Sequence, residues 1–92
     1  MQNKSEELKV IILDSQAINI SVIENVRLIR IKSEFCTLLI MKDYWPVVGE
    51  LNGKISIEAD ESYVYENIEA FYSLSHNIFH LIIKEKGEVK NE

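Results

Sequence analysis

The stretch from Ile40 to Ile57 constrains the fold most, because apolar runs alternate with turn-forming residues over a short distance. Asn52-Gly53 is a strong short-range hairpin signal, since a two-residue type I′ turn needs a positive φ at both central positions. Beyond it, Ile55 and Ile57 are two residues apart, which places both on one face of a strand. Pro46 keeps the residue before it out of the α region and so favours an extended entry. The stretch therefore predicts strands joined by a hairpin turn at Asn52-Gly53.

Turn-forming residues recur roughly every eight to twelve residues in the rest of the chain, which is typical of an all-β sandwich or barrel. In Ala17–Ile23 the apolar residues alternate with polar ones and share a face, which predicts a half-buried strand. An acidic turn is predicted at Glu58–Ser62. Beside the strands around the Asn-Gly turn, the predicted strands are Leu8–Leu13, Ala17–Ile23, Val26–Lys32, Cys36–Met41, Ser62–Glu66, Ala70–Leu74 and Ile78–Ile83.

A helix over Tyr63–Ile83 is the alternative for the last part of the chain. Apolar residues also recur there at intervals of three to four, as in an amphipathic helix. The residues at this spacing are Val64, Ile68, Phe71, Ile78 and Ile82, together with Ser75. Ser75-His76-Asn77 interrupts the segment with residues that compete with helical backbone bonds, so we favour two strands separated by a turn.

Size and composition indicate one small domain. With 92 residues the chain can bury one core, and we expect it to span residues 8–83. Residues 1–7 are polar and are expected to fray, and the charged tail of residues 84–92 is expected to be disordered. Cys36 is the only cysteine, so an intrachain disulfide is excluded and a reducing compartment is expected.

Charge and hydropathy exclude several classes of partner. The net charge of −5 should repel phosphate backbones, so nucleic acid is not expected as a partner. No apolar run approaches the roughly 20 residues of a membrane helix, and the start of the chain lacks the apolar core of a signal peptide. We therefore expect a cytoplasmic protein without direct membrane insertion.

Residues that could carry chemistry are few. His76 and His80 are four apart, but the glutamate of a zinc-protease motif is missing, so a turn histidine and a strand histidine are expected instead. Glu58, Asp60 and Glu61 lack the spacing of a calcium loop and are expected to form a solvated turn. Cys36 has no local activator and is expected to be a small buried hydrophobe. The sequence thus predicts no catalytic residues, no metal and no cofactor.

Trp45 is the candidate for contact with a partner. It is the only tryptophan and follows Tyr44 directly, just before a proline. Two interpretations are open. The ring could fold back over the core as a lid, or it could form an exposed contact tip, since Trp and Tyr supply large anchoring areas at interfaces.

The stretch around Pro46 resembles the N-terminal β-sandwich domain of the epsilon subunit of F-type ATP synthases. That family typically has Ile-Leu-Pro-Gly-His-Ala-Pro-Leu, then Leu, a Gly turn and a strand with alternating Ile or Val. Here Ile40 and Met41 stand at the Ile-Leu positions, Pro46 stands at the second Pro, and the later positions are filled by Leu51, Gly53, Ile55 and Ile57. The residues between depart from the motif and read Lys42, Asp43, Tyr44 and Trp45. The similarity extends over about residues 8–83.

The resemblance implies a two-sheet β-sandwich of about ten short antiparallel strands. It implies a non-catalytic rotor subunit of the central stalk, which binds the foot of the gamma subunit in a complex with alpha and beta subunits. Such a subunit helps to transmit torque during ATP synthesis or hydrolysis coupled to proton transport. In the family the loop matching Lys42, Asp43, Tyr44 and Trp45 lies toward the membrane rotor ring, which would place the protein peripherally at the cytoplasmic membrane face.

Two further expectations concern the C-terminal end of the domain and an alternative function. Family members usually continue into an inhibitory C-terminal two-helix hairpin, and this sequence ends about where that hairpin would start, so we expect a rotor subunit without it. The alternative function is a free-standing cytosolic β-sandwich adaptor for an unrelated protein. Both predict the same fold.

Overall fold

A computed structural model of the protein describes residues 7–34 and 36–86. Within these residues there are seven strands and no helix. The strands are β1 (Leu8–Asp14), β2 (Asn19–Val26), β3 (Leu28–Ser33), β4 (Thr37–Ile40), β5 (Val47–Glu58), β6 (Ser62–Ser75) and β7 (Ile78–Lys86). The all-β prediction is confirmed, and the helical alternative for Tyr63–Ile83 is wrong.

All seven strands belong to one mixed sheet in the order β2-β1-β7-β6-β5-β3-β4. β1 and β7 are parallel, and the other neighbours are antiparallel. The expectation of two sheets with about ten strands is therefore wrong. There are fewer strands than expected because β5 and β6 are long, with 12 and 14 residues. Each continues through a segment where the sequence predicted a break between two strands.

The predicted hairpin at Asn52-Gly53 is also wrong, because both residues lie inside β5. The hairpin turn between β5 and β6 is instead the acidic turn, where the Ala59 N–H donates to the Glu61 carbonyl at 3.0 Å. Gly53 has a different role. A Cβ at this position would meet the carbonyl oxygen of Lys32 and would lie 3.3 Å from the Ser33 Cα, so only glycine permits this close approach of β3.

Two asparagines in the left-handed region form β-bulges that keep apolar residues on the core face. Asn67 has a φ of 53° at the point where the β5–β6 register shifts, and Ile68 beyond it is buried. Asn25 has a φ of 56° where the β1–β2 register shifts, and Val26 beyond it is buried. Each bulge adds one residue to its strand, which resets the in-out alternation before the next apolar residue.

The sheet curls around a single core. β3 pairs with Gly53–Glu58 of β5, whereas β7 pairs with Ile68–Ser75, the later half of β6. The turn after β5 comes back to β2, since Ala59–Glu61 and Val22–Asn25 line the same groove. The buried face of all seven strands therefore encloses one cluster of apolar side chains.

The core includes an aromatic stack that depends on a glycine. Tyr72 and Phe79 have ring centroids 5.7 Å apart and planes inclined by 18°. Gly49 lies opposite Tyr72 in the sheet, and a Cβ on Gly49 would lie 2.6 Å from the Tyr72 hydroxyl oxygen. The tyrosine ring thus occupies the space that a side chain at position 49 would take. Burial raises the pKa of the Tyr72 phenol above 10.0, and Cys36 and Tyr44 add to the effect.

The boundaries of the predicted tail need one correction. β7 continues to Lys86, so the sheet includes three residues that the sequence assigned to the tail. The prediction of disorder for residues 84–92 is therefore wrong for residues 84–86. The rest of that prediction and most of the predicted fraying of residues 1–7 fall on residues 87–92 and 1–6, which lie outside the described residues. None of the described segments forms a helix that is long and apolar enough to span a membrane.

Candidate protein-docking surface

Two cross-strand rows of exposed or half-buried side chains cover the side of β2, β1, β7, β6 and β5 that faces away from the core. We call this surface the outer face. One row consists of Ile20, Leu13, Ile82, Phe71 and Glu50. The other row consists of Val22, Ile11, His80, Ser73 and Val48. Neighbours in each row are register partners, so the side chains adjoin across the sheet.

The outer face is unusual because it is apolar on strands whose opposite face is already buried. In β1 the core takes Leu8, Val10 and Ile12, yet Ile11 and Leu13 on the other side are apolar too. Sheets with one solvated face normally alternate apolar and polar residues, whereas strands covered on both faces are apolar throughout. The outer face therefore has the composition of a covered strand face, which makes it a candidate docking surface.

The distribution of charged residues also favours a docking role for the outer face. Charged residues make up 27% of the chain, yet Glu50 is the only Asp, Glu, Lys or Arg in the two rows. The Lys84 Nζ lies 4.3 Å from the centroid of the Phe71 ring, so a cation borders the aromatic centre of the face. An apolar, aromatic and charge-depleted centre is the composition of protein–protein interfaces.

Of the predicted contact residues, Asp43 fixes the loop between β4 and β5. Its N–H donates to the Asn77 Oδ1 at 2.6 Å, and the Asn77 Nδ2 donates back to the Asp43 Oδ1 at 3.1 Å. Both residues have positive φ, at 65° and 63°, which asparagine and aspartate tolerate better than most residues. The loop is thereby tied to the turn between β6 and β7.

The tied loop presents Trp45 to solvent. The Trp45 side chain is 81% exposed, so the lid interpretation is wrong and the exposed-tip geometry is the one observed. Tyr44, not Trp45, is the half-buried residue that packs on the core. Lys42 is half-buried and Asp43 is exposed. Pro46 lies directly before β5, as the extended entry predicted, and the strand then brings Val48 to the outer face, where it is 76% exposed.

Other candidate residues do not assemble into a site. His76 lies in the turn after β6 and its Nδ1 is 2.9 Å from the Ser75 Oγ, while His80 lies in β7, as predicted. Cys36 is exposed just before β4, so the prediction that it is buried is wrong. Across residues 7–34 and 36–86, no group of three or more His, Cys, Asp and Glu side chains is placed to hold a metal ion.

The sequence contained a signal for the outer face that periodicity alone did not reveal. Ile18, Ile20 and Val22 share a face, but the structure exposes that face, and the core contacts of β2 come from Ile23 and Val26. Alternation shows which residues lie together, not which side is covered. The signal was the apolar run of residues 10–13 in β1, a composition typical of strands that are covered on both faces.

No model of a known protein family matches this sequence, and a comparison with curated proteins finds no significant relative.

Proposed function

We propose that this chain is a non-catalytic central-stalk subunit of an F-type or F-type-like rotary ATPase. In this role it binds the foot of the gamma subunit and helps to transmit torque, within a complex that also contains alpha and beta subunits. The observation that carries the proposal is the outer face. A subunit that works by attachment needs a broad apolar surface, and this chain has one that spans five strands.

The resemblance to the epsilon family supports the choice of partner. The positions that match the family pattern fall at structural points of β5. Leu51, Ile55 and Ile57 are buried in the core, and Gly53 permits the close approach of β3. The matching positions therefore have structural roles in this chain, although its single seven-stranded sheet differs from the two-sheet sandwich that the resemblance implies.

The exposed loop suggests a second contact. The loop of Lys42, Asp43, Tyr44 and Trp45 is held by the two hydrogen bonds to Asn77, so the Trp45 ring is presented without a large entropic cost on binding. In the proposed complex this loop is the candidate for contact with a membrane rotor ring, which would place the protein at the cytoplasmic membrane face.

The test is native co-purification from source cells, with the bound proteins identified by mass. We expect ATPase alpha, beta and gamma subunits in stoichiometric amounts. Phe71→Glu removes the aromatic ring at the centre of the outer face and should lower gamma binding at least about tenfold, since the new carboxylate loses its hydration on binding even with Lys84 beside it. Val64→Glu is the matched control, because Val64 is an exposed residue of the same strand outside the two rows.

Two outcomes would count against the proposal. Absence of all three ATPase subunits, with an unrelated protein bound instead, would favour the cytosolic adaptor. Equal loss of gamma binding in Phe71→Glu and Val64→Glu would show that the outer face is not the contact surface. Circular dichroism of both variants establishes that each is folded before binding is compared.

A further inference from the structure

The two edges of the sheet are protected very differently. Natural sheets blunt their edges with short strands, charges or proline, because an exposed edge can pair with another strand. β4, at one edge, has only four residues. β2, at the other edge, has eight residues, and Asn19–Ile23 contains neither a charge nor a proline. No described strand pairs with the outer edge of β2, so among the described residues this edge is open to strand pairing.

An apolar notch lies at the start of this edge. Ile18 has a φ of 50° and its side chain is 89% exposed, a costly combination for a β-branched residue. With Leu13 and Ile20 it lines a cavity of about 260 Å³. The backbone strain thus holds an isoleucine out in solvent beside the first residues of β2, where it can receive an apolar side chain.

An acidic groove lies at the other end of the edge. Glu24 from β2 faces Asp60 and Glu61 from the turn after β5, across a groove of about 330 Å³. None of these three carboxylates forms an ion pair among the described residues. Lys9 borders the far side of Glu24, in a separate groove. The acidic groove is therefore complementary to a cation that the described residues do not supply.

We propose that the β2 edge binds an extended segment of a partner protein by strand addition. The segment carries an apolar side chain that enters the notch at Ile18 and a Lys or Arg that enters the acidic groove at Glu24. These features are six residues apart, or about 20 Å along a strand, so the segment is six to seven residues long. Backbone pairing supplies affinity, and the two end pockets supply direction and selectivity. The proposal holds whichever protein is the partner.

A second copy of the chain fits this edge less well. Strand pairing between two β2 edges would bring the residues from Asp14 to Val26 of one copy against those of the other. That segment contains no Lys or Arg, so both acidic grooves would stay without a counter-charge. The occupant is instead a basic-ended strand of another protein.

The probe is a nine-residue synthetic peptide of alternating Val and Thr with a Leu at one end and two Lys at the other. Its control has two Glu in place of the Lys. Nuclear magnetic resonance of the full chain follows amide shifts and hydrogen exchange at millimolar peptide. We expect the Lys peptide to slow exchange of alternate amides in Asn19–Ile23 at least about tenfold. We expect the Glu peptide to bind at least about tenfold more weakly, and the double variant Asp60→Lys/Glu61→Lys to reverse that preference.

Proline substitutions at two adjacent positions of β2 distinguish loss of peptide pairing from loss of folding. Successive N–H groups of a strand point to opposite edges, so one of Ser21→Pro and Val22→Pro removes a bond to β1 and the other removes only a free N–H. The variant that stays as stable as the parent should lose peptide protection. Three results would each overturn the proposal. The amide shifts could be confined to β4 or to the outer face, or the peptide could leave hydrogen exchange in β2 unchanged. The third is exchange protection in β2 that rises with protein concentration when no peptide is present.

Discussion

A single methyl group at Gly53 should destabilise the protein strongly. In Gly53→Ala the new Cβ would overlap the Lys32 carbonyl oxygen and lie 3.3 Å from the Ser33 Cα. Both neighbours are backbone atoms of β3, so relief requires a shift of the paired strand and not a side-chain rotation. Overpacking of this kind costs about 1–3 kcal/mol and occasionally more. Because the obstacle is backbone, we expect a loss of about 2–4 kcal/mol in the free energy of unfolding.

The assay is urea unfolding followed by circular dichroism, with thermal unfolding alongside. A domain of this size loses about 4–8 °C of Tm per kcal/mol, so Tm should fall by on the order of 10–30 °C. Lys54→Ala is the control in the same strand. It removes an exposed ion pair of 3.8 Å to Glu66, and such pairs contribute about 0–1 kcal/mol.

A second substitution distinguishes crowding from turn conformation. A hairpin turn at Asn52-Gly53 would need a left-handed φ near 60°, where Gly53→Asn is the mildest replacement. The observed φ of 158° lies outside the region that asparagine tolerates, so in β5 asparagine has no such advantage. If crowding by β3 is the cause, Gly53→Asn should cost at least as much as Gly53→Ala. A loss below about 0.5 kcal/mol in Gly53→Ala, or a clear advantage of asparagine, would refute the packing argument.

Three further predictions address the loop, a bulge and the core tyrosine. Trp45→Ala should change the free energy of unfolding by less than about 0.5 kcal/mol, because the ring is 81% exposed, while weakening binding of any partner that contacts the loop; a large fall in Tm would contradict this. Asn67→Val should cost about 1–3 kcal/mol in urea unfolding, because a β-branched residue is strained at a φ of 53°, whereas Asn67→Gly should be close to neutral. Above pH 10 the unfolded chain releases the Tyr72 proton while the folded chain retains it, so stability should fall as pH rises. Tyr72→Phe should reduce that alkaline loss, measured as the slope of unfolding free energy against pH, and an unchanged slope would contradict the assigned burial effect.

The sequence predicted the strands well where turn chemistry and alternation agreed. Ile55 and Ile57 are buried together as expected, and Tyr63 and Tyr65 pack on the core opposite exposed Val64. The acidic turn and the turn near His76 also lie where predicted. These features depend on local backbone preferences, which sequence patterns report directly.

The errors arose where tertiary contacts override local preference. Asn52-Gly53 has hairpin composition, but its glycine serves the close approach of β3, a contact that no local pattern encodes. Asn67 looked like part of a break between two strands, yet a bulge carries β6 through it. For the candidate site, Trp45 was predicted as a contact residue, whereas the outer face depends on register across five strands and could not be assembled from spacing alone.

The parallel pairing of β1 with β7 has a consequence for folding order. Among the seven described strands, β7 is the one that joins the β1–β2 pair to the rest of the sheet, and it is synthesised after the other six. A two-stranded hairpin is only marginally stable in water by itself. The apolar faces of β1 and β2 therefore stay exposed to solvent until β7 has been synthesised and pairs with β1. Cooperative folding of this sheet is therefore expected only after β7 has been synthesised, and a nascent chain stalled before Ile78 should be a substrate for chaperones.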